Sequence, residues 1–292
     1  MAYEALITLA FQTIVTGILL GLAGVSLNLL YSVTRLVNIA TGEFIMIGAY
    51  ITYWSYTQFS LSPMLSHIFV WAFFAILGLA AYRLFFYRLT RLESREKIEI
   101  ISLLTFFAII IVSQNFIILR FTSIYRGYSF LMETINVFGV NIAYNKLLLI
   151  VLGLLAMLAL YSLLNTGRIG LAIKATIQNR TAAELVGIDI RFIDSIVVAL
   201  SFGLAGLGGS LLSMTLNFDP YIGLYYTISA LIVMVLGGVG NMAGTIIGGM
   251  LMGAINAVGS YYVSSGVALA ITYGIFFTIL LLRPRGLFRG VA

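Results

Sequence analysis

One carboxylate lies inside a long apolar run near the start of the chain. The residues around it read Asn38-Ile39-Ala40-Thr41-Gly42-Glu43-Phe44, and the run continues to Tyr50. Because a charge in hydrocarbon is costly, such groups usually face a bundle interior or a water-filled cavity. Arg35 marks a membrane edge, and eight helical residues at about 1.5 Å each place Glu43 roughly 12 Å deeper. This stretch is therefore a candidate lining for a path across the membrane.

The same stretch has a purely structural interpretation. Thr41 can cap the start of a helix, and Gly42 can act as a hinge behind it. Glu43 would then neutralise the positive end of that helix or cap its amides. The residues alone do not choose between this interpretation and the path.

A second segment, about residues 165–191, is more regular than a connecting loop requires. It is rich in alanine, which favours helix, and Arg180 and Glu184 stand four residues apart as in a helical ion pair. Gly187 can end such a helix in the left-handed conformation. An apolar stripe runs along it, formed by Ile173, Ile177 and Leu185. We predict one helix over about 168–187 that docks on a partner or lies at the membrane interface, and the pattern favours neither.

The composition around these segments is that of an integral membrane protein. Of the 292 residues, 61% are hydrophobic and 9% charged, against about 25% charged in soluble domains. Mean hydropathy is +1.09. The sequence predicts an all-α, polytopic fold of 8–9 transmembrane helices, with broken helices and a single domain over 1–292. The net charge of +6 is a topology signal and not a nucleic-acid footprint.

The apolar runs define nine candidate spans. They cover about 5–30, 36–58, 67–88, 98–119, 146–164, 192–216, 225–239, 243–260 and 266–282. Thirteen of the 16 Lys and Arg residues fall on one side of this arrangement. Arg283, Arg285 and Arg289 at the C-terminus are among them. Since Lys and Arg concentrate in cytoplasmic loops, we expect the N-terminus on the outer side of the cell membrane and the C-terminus in the cytoplasm.

Two further features remain open from the sequence. Gly21-Leu22-Ala23-Gly24 recurs as Gly203-Leu204-Ala205-Gly206, five spans later, which would make an inverted repeat or a coincidence in a glycine-rich chain. The loop at about 120–145 is polar and aromatic, and suits either a solvated connector or a docking surface for an external partner. We expect His67 to be interfacial and Asn28 to join helices by hydrogen bonds.

Several chemistries are excluded by composition. The chain has no cysteine and one histidine, so a disulfide, a thiolate metal site or a multi-histidine site is impossible. No metal site and no catalytic residues are predicted, and we expect no enzyme activity. A phosphate-binding Gly-x-x-x-x-Gly-Lys-Ser/Thr loop is also absent.

Four segments together resemble one family, the permeases of branched-chain amino acid ABC transporters. Asn38 to Tyr50 is similar to that family's Asn-Phe-Ala-His-Gly-Glu-Phe-x-Met-Leu-Gly-Ala-Tyr stretch, with Thr41 where the family often has His. The core from Asn179 to Ile188 resembles its cytoplasmic coupling loop. Val235 to Gly249 and the tail Leu282 to Phe288 are similar to its later motifs.

The resemblance implies roles and partners. Arg180, Ala183, Glu184 and Gly187 would belong to a coupling helix that seats in a groove of an ATPase subunit. Asn38, Thr41, Gly42 and Glu43 would lie beside the translocation path. ABC ATPase subunits would bind the ATP, so the chain needs no cofactor of its own. A second permease subunit, as a heterodimer, and an extracytoplasmic substrate-binding protein are also implied.

Three functions stay in competition at this point. The first is an ATP-driven importer permease for branched-chain or similar small amino acids. The second is a permease of the same family for urea or short amides. The third is a stand-alone secondary transporter or channel, which would be expected to carry more intramembrane carboxylates than Glu43.

Overall fold

A computed structural model describes residues 2–92, 94–137, 139–263, 265–283 and 287–288. This part of the chain folds into eleven helices and one short hairpin. The helices are α1 Ala2–Thr34, α2 Thr41–Phe59, α3 Pro63–Leu89, α4 Arg95–Phe121, α5 Tyr144–Thr166, α6 Arg168–Gln178, α7 Arg180–Leu185, α8 Ile190–Ser213, α9 Ile222–Gly237, α10 Met242–Tyr262 and α11 Ser265–Leu282. The hairpin pairs β1 Thr134–Val137 with β2 Val140–Ala143.

The predicted all-α membrane fold is confirmed, and each of the nine predicted spans corresponds to a helix. Six helices are long and apolar enough to cross a membrane, namely α1, α3, α4, α5, α8 and α10. Two further apolar helices, α9 and α11, are shorter. The 16 residues of α9 make it about 24 Å long, which is shorter than the roughly 30 Å hydrocarbon core of a bilayer.

Helix α1 lies at the centre of the bundle. Its side chains from Ile18 to Leu30 are almost entirely buried all round the helix, which identifies a core helix with no solvent- or lipid-facing stripe. Small residues allow its closest contact. A Cβ on Gly249 or Gly253 of α10 would collide with the backbone of Gly21 or Gly17 of α1. Close backbone approach of this kind is how helices associate in lipid, where hydrophobic burial gives little driving force.

The helix packing has the pattern that an inverted repeat predicts. Helix α1 packs mainly on α10 and also on α9, whereas α8 packs mainly on α3 and also on α2. Exchanging α1, α2 and α3 for α8, α9 and α10 leaves this pattern unchanged. The glycines at equivalent positions do not meet equivalent helices, because a Cβ on Gly24 would come nearest to Val233 of α9, whereas one on Gly206 would come nearest to Phe74 of α3. The support for the repeat is therefore the helix packing and not the glycine motif.

Basic residues meet at one end of the bundle, called here the basic end. Arg91, which follows α3, and Arg191 of α8 both lie over the Tyr87 ring, at 4.8 and 4.6 Å from its centroid. Tyr31 near the end of α1 donates to Glu99 near the start of α4 at 3.0 Å. Arg285 and Arg289 lie outside the described residues. So do Pro284 and Gly286 of the tail motif.

The opposite end carries the hairpin, which the sequence analysis did not predict. Between α4 and the hairpin, Arg126 forms a two-way backbone pair with Phe218, with N–O distances of 2.8 and 2.9 Å. Asn145 at the start of α5 donates to the Met214 carbonyl at 2.9 Å. These bonds fasten the start of the loop and the start of α5 to the segment that follows α8.

Candidate functional site

The chain between α1 and α2 is a buried, non-helical break. Arg35 has a positive φ of 63°, and Leu36, Asn38 and Ala40 are each at most 1% exposed. Exposed backbone groups are not tolerated in lipid, so the polar atoms of such a break need partners within the protein. Asn38 supplies two of them, since its Oδ1 accepts from Ala40 N and its carbonyl accepts from Thr41 Oγ1, both at 3.0 Å.

The first turn of α2 meets the first turn of α9. Gly42 N donates to Thr227 Oγ1 at 3.0 Å, and Thr227 Oγ1 donates to the Ile39 carbonyl at 3.0 Å. A Cβ on Gly42 would overlap the Gly223 carbonyl, so glycine is required at this crossing. The prediction that Thr41 caps α2 is wrong. Thr41 is the first helical residue, because Asn38 satisfies the preceding backbone and Thr227 satisfies the Gly42 amide.

Glu43 is buried, with 2% of its surface exposed. Its Oε2 lies 3.3 Å from Ser113 Oγ of α4, whose single hydroxyl proton is also within reach of the Ile109 carbonyl at 2.7 Å. The amides of its own helix do not bind its carboxylate in the described part of the chain, although its place in the first turn still complements the helix dipole.

Helix α4 gives a scale for the depth of Glu43. Val37 N binds Ser102 Oγ at 3.0 Å, and Glu43 binds Ser113, eleven residues further along α4. That separation corresponds to about 16 Å along the helix axis. Glu43 therefore lies well inside the span, in agreement with the predicted depth.

A cleft of about 970 Å³ opens beside Glu43, between α2, α3 and α4. Its walls are mostly aromatic and aliphatic, with Phe44, Phe74 and Phe116 among them. Ser113, the partner of Glu43, forms part of the wall, and Arg120 lies at the end nearer the hairpin. The cleft could hold an apolar group next to the Ser113 hydroxyl, with Glu43 buried behind it.

The 165–191 segment forms two helices instead of the single one predicted. Asn179 is extended, at φ −155° and ψ 104°, and separates α6 from α7. Its Oδ1 accepts from Ala182 N at 3.0 Å, which caps α7. The reason is local, since an asparagine side chain competes with the helix backbone and favours a new start.

The apolar stripe of this segment is divided between two environments. Ile173 of α6 is fully buried in the bundle core. Leu185 and Val186 at the end of α7 are 84% and 78% exposed. The segment therefore rests on the bundle through α6 and presents an apolar tip at the end of α7.

The tip of α7 closes with the geometry predicted for Gly187. Gly187 has φ +88°, and its amide donates to the Glu184 carbonyl at 3.0 Å. Ile188 N donates to the Ala183 carbonyl at 3.1 Å. Glu184 and Gly187 are exposed, whereas Ala183 is buried against the bundle.

Arg180 points into the bundle, and the predicted pair with Glu184 is wrong. Its guanidinium binds both oxygens of Asp194 on α8, at 3.0 and 2.5 Å. It also donates to the Val33 carbonyl of α1 at 3.2 Å. Tyr82 of α3 donates to the same carboxylate at 3.2 Å. A bidentate ion pair to a buried acid outweighs an exposed helical pair, so the tertiary partner wins.

Two buried polar residues hold other parts of the bundle. Asn28 of α1 donates to the Gly238 carbonyl at 3.1 Å and to Thr245 Oγ1 at 2.5 Å, and accepts from Gly240 N at 2.8 Å. The prediction that Asn28 joins helices is confirmed. His67, close to the start of α3, is only 3% exposed and binds Ser210 Oγ of α8 at 2.6 Å, so it also joins two helices.

Comparison with known proteins identifies the family. Residues 9–283 match the family described as Branched-chain amino acid transport system / permease component. The chain belongs to this family. As a member of the branched-chain amino acid permease family, it is a multi-pass transport permease.

Relatives in this permease family match over nearly the whole chain. The high-affinity branched-chain amino acid transport system permease protein LivH of Salmonella typhimurium is 26% identical over 288 residues, covering 95% of this chain and 93% of LivH. The corresponding protein BraD of Pseudomonas aeruginosa is 27% identical over 290 residues, covering 94% of each. A probable LivH of Methanocaldococcus jannaschii is 27% identical over 280 residues, covering 92% of this chain and 88% of its own length.

In this permease, the structure groups the predicted site residues into two separate places. Asn38, Thr41, Gly42 and Glu43 lie together at the break, joined by Thr227 and Ser113, which sequence reasoning missed. Arg180, Ala183, Glu184 and Gly187 lie at the basic end, where Asp194 and Tyr82 were missed as partners. Asp194 stands at the polar start of α8, three residues after Arg191, so its position in the sequence carried no signal for a distant partner.

Proposed function

We propose that this chain is the transmembrane permease subunit of an ATP-driven ABC importer for branched-chain or similar small amino acids. ATP would be hydrolysed by partner subunits, because the chain has no phosphate-binding loop. The family match and the names of the relatives support the substrate class. The observation that carries the proposal is the α6–α7 segment, which rests on the bundle and presents an exposed apolar tip.

The partner surface at the basic end is the tip of α7. Leu185 and Val186 are mostly exposed there, and Glu184 and Gly187 flank them. An apolar tip with one acidic side chain is suited to insertion into a groove of an ATPase subunit. Arg180 and Ala183, which face the bundle, would act in coupling from the inner side of the segment.

The orientation that we propose places the basic end in the cytoplasm, with the N-terminus outside and the C-terminus inside. Lys and Arg favour the cytoplasmic side, and the ATPases must be reached from there. The hairpin end would then face a substrate-binding protein outside the cell membrane. A second permease subunit, as a heterodimer partner, would complete the path.

The path that we propose runs beside the break. Asn38, Thr41, Gly42 and Glu43 would line it, with the neighbouring cleft on the same side as Ser113. Branched aliphatic side chains match the apolar lining of that cleft. Urea, which is polar on every side, would leave this lining without a matching group, so the amino acid is favoured.

The proposed mechanism is a transfer of motion from α7 to the bundle. Closure of the two ATPases on ATP would push the tip at Leu185 and Val186. Because α6 rests on the core through Ile173, the segment would carry the movement inward. The helices beside the break would then alternate between outward- and inward-open arrangements.

Reconstitution tests this proposal. The chain would be co-expressed with candidate ATPase, second-permease and binding-protein subunits from the same genome, and the complex placed in vesicles. We expect uptake of radiolabelled leucine that requires two things. ATP must be present on the side of the membrane that carries the ATPases, and the binding protein must be present on the opposite side. Glu184→Lys should abolish stimulated uptake while the complex remains folded. Leucine uptake by the chain alone, or uptake of urea in place of leucine, would refute the proposal.

A further inference from the structure

The ion pair between Arg180 and Asp194 joins four helices at one point. Arg180 opens α7, Asp194 belongs to α8, Tyr82 belongs to α3, and the Val33 carbonyl belongs to the last turn of α1. Asp194 is 0% exposed, whereas the Arg180 side chain is 34% exposed. A buried carboxylate needs its partner far more than an exposed guanidinium does. The burial of Asp194 therefore strongly opposes separation of the pair.

The Val33 carbonyl is available because the chain breaks after α1. In a continuing helix it would accept from the amide of Val37, four residues on. Here Val37 N binds Ser102 Oγ instead, and Arg180 takes the freed carbonyl. Arginine commonly binds the last carbonyls of a helix in this way. The guanidinium thus contacts the same backbone that leads, through Leu36–Ala40, to Glu43.

The third partner lies at an irregularity in α3. Tyr82 begins a π-helical turn, Tyr82–Phe86, inside the otherwise regular helix. Such turns add one residue to a helical turn and are frequent at functional sites. From this turn the Tyr82 hydroxyl reaches Asp194, while its neighbour Arg83 is exposed.

We propose that Arg180, Asp194 and Tyr82 are positioning residues that fasten α7 to the ends of α1, α3 and α8. Through this link, called here the Arg180 link, displacement of α7 reaches the break at Leu36–Ala40. The proposal rests on the proposed function for what displaces α7. The link itself is a property of this chain and can be tested without any partner.

Spin labels on the purified chain test the link directly. The chain has no cysteine, so Thr181→Cys on α7 and Arg35→Cys at the break each give a single labelling site. In lipid nanodiscs we expect the label at Arg35 to be largely immobilised and the label at exposed Thr181 to show the restricted motion of an ordered helix surface. Asp194→Asn should produce a mobile component at both positions. Arg83→Gln removes a nearby exposed charge without touching Asp194, and both spectra should stay unchanged.

The spectra have two outcomes that overturn the proposal. If Asp194→Asn leaves the spectrum of the Thr181 label unchanged, the pair does not fasten α7. If it mobilises the Thr181 label alone, the pair is local and does not reach the break. Neither result depends on ATPases, so they are separable from a failure of the proposed function.

A paired substitution separates coupling from folding. Arg180→Met with Asp194→Leu removes both charges together, and such replacements often preserve stability. In the full reconstituted complex we expect thermal stability near that of the unaltered protein, but about tenfold less solute moved per ATP hydrolysed. If the double variant keeps both the thermal stability and the uptake per ATP of the unaltered protein, the pair only stabilises the fold and the proposal is overturned.

Discussion

Glu43 and Asp194 are both buried carboxylates, but their surroundings differ. Asp194 binds Arg180 through both oxygens and also accepts from Tyr82. Glu43 accepts one side-chain hydrogen bond, from Ser113, among the described residues, and has no cation beside it. Both are at most 2% exposed. The two carboxylates are therefore equally buried, and they differ in the number and the charge of their hydrogen-bond partners.

The difference indicates different roles. A carboxylate with a bidentate arginine is committed to a fixed contact, and such a contact can hold elements together. A carboxylate with a single neutral partner, beside a cleft, keeps acceptor capacity for something else. The four predictions below test this contrast through stability and uptake, beginning with the largest expected change in stability.

Asp194→Ala should be the most destabilising of these substitutions. It leaves the Arg180 guanidinium without its counter-ion and Tyr82 without its acceptor. Breaking a buried pair costs about 3–5 kcal/mol, and partial exposure of Arg180 favours the lower end. Unfolding by denaturant titration in detergent measures the change. Glu133→Ala, which removes an exposed carboxylate, should leave the free energy of unfolding unaltered. If Asp194→Ala leaves the free energy of unfolding unchanged, the pair of Arg180 and Asp194 contributes nothing to stability.

Gly42→Ala should come second. The new Cβ would overlap the Gly223 carbonyl, and backbone cannot rotate away as a side chain can. Overpacking of this kind costs about 1–3 kcal/mol. Gly274→Ala is the matched control, since nothing lies within 4 Å of its Cβ, and it should gain up to about 1 kcal/mol from helix propensity. Equal effects at the two glycines would contradict the close crossing of α2 and α9.

Tyr82→Phe should cost about 1 kcal/mol, the net value of one hydrogen bond. The ring stays in place, so only the bond to Asp194 is lost. The same denaturant titration measures it, with Tyr161→Phe at an exposed position as the comparison. A cost equal to that of Asp194→Ala would show that Tyr82, and not Arg180, is the main partner of the carboxylate.

Glu43→Gln should change the free energy of unfolding least, by less than about 1 kcal/mol, because glutamine keeps an acceptor for Ser113. Uptake by the reconstituted complex should nevertheless fall strongly if Glu43 lines the path. Ser113→Ala, which removes only the hydroxyl, serves as the comparison and should reduce uptake less. If Glu43→Gln leaves uptake normal, Glu43 does not serve the path, and its role is to neutralise the positive end of α2.

Elements with a strong local signal were predictable. The nine apolar runs correspond to helices, because hydrocarbon admits few other structures. Gly187 ends α7 as predicted, since left-handed backbone selects glycine. The π-helical turn in α3, the division of the 165–191 segment at Asn179 and the hairpin were missed. Each depends on side chains or turns that give little signal in an apolar or mixed sequence.

The sequence by itself determined that the chain lies in a membrane, roughly where its helices run, and that Glu43 and the 165–191 segment stand apart. Hydrophobicity and charge are properties of single residues, so they can be read in order along the chain. Only the tertiary structure decided that Arg180 binds Asp194 and not Glu184, and that Thr227 and Ser113 complete the break. Those partners are brought together from distant helices, and their contacts depend on how helix faces pack.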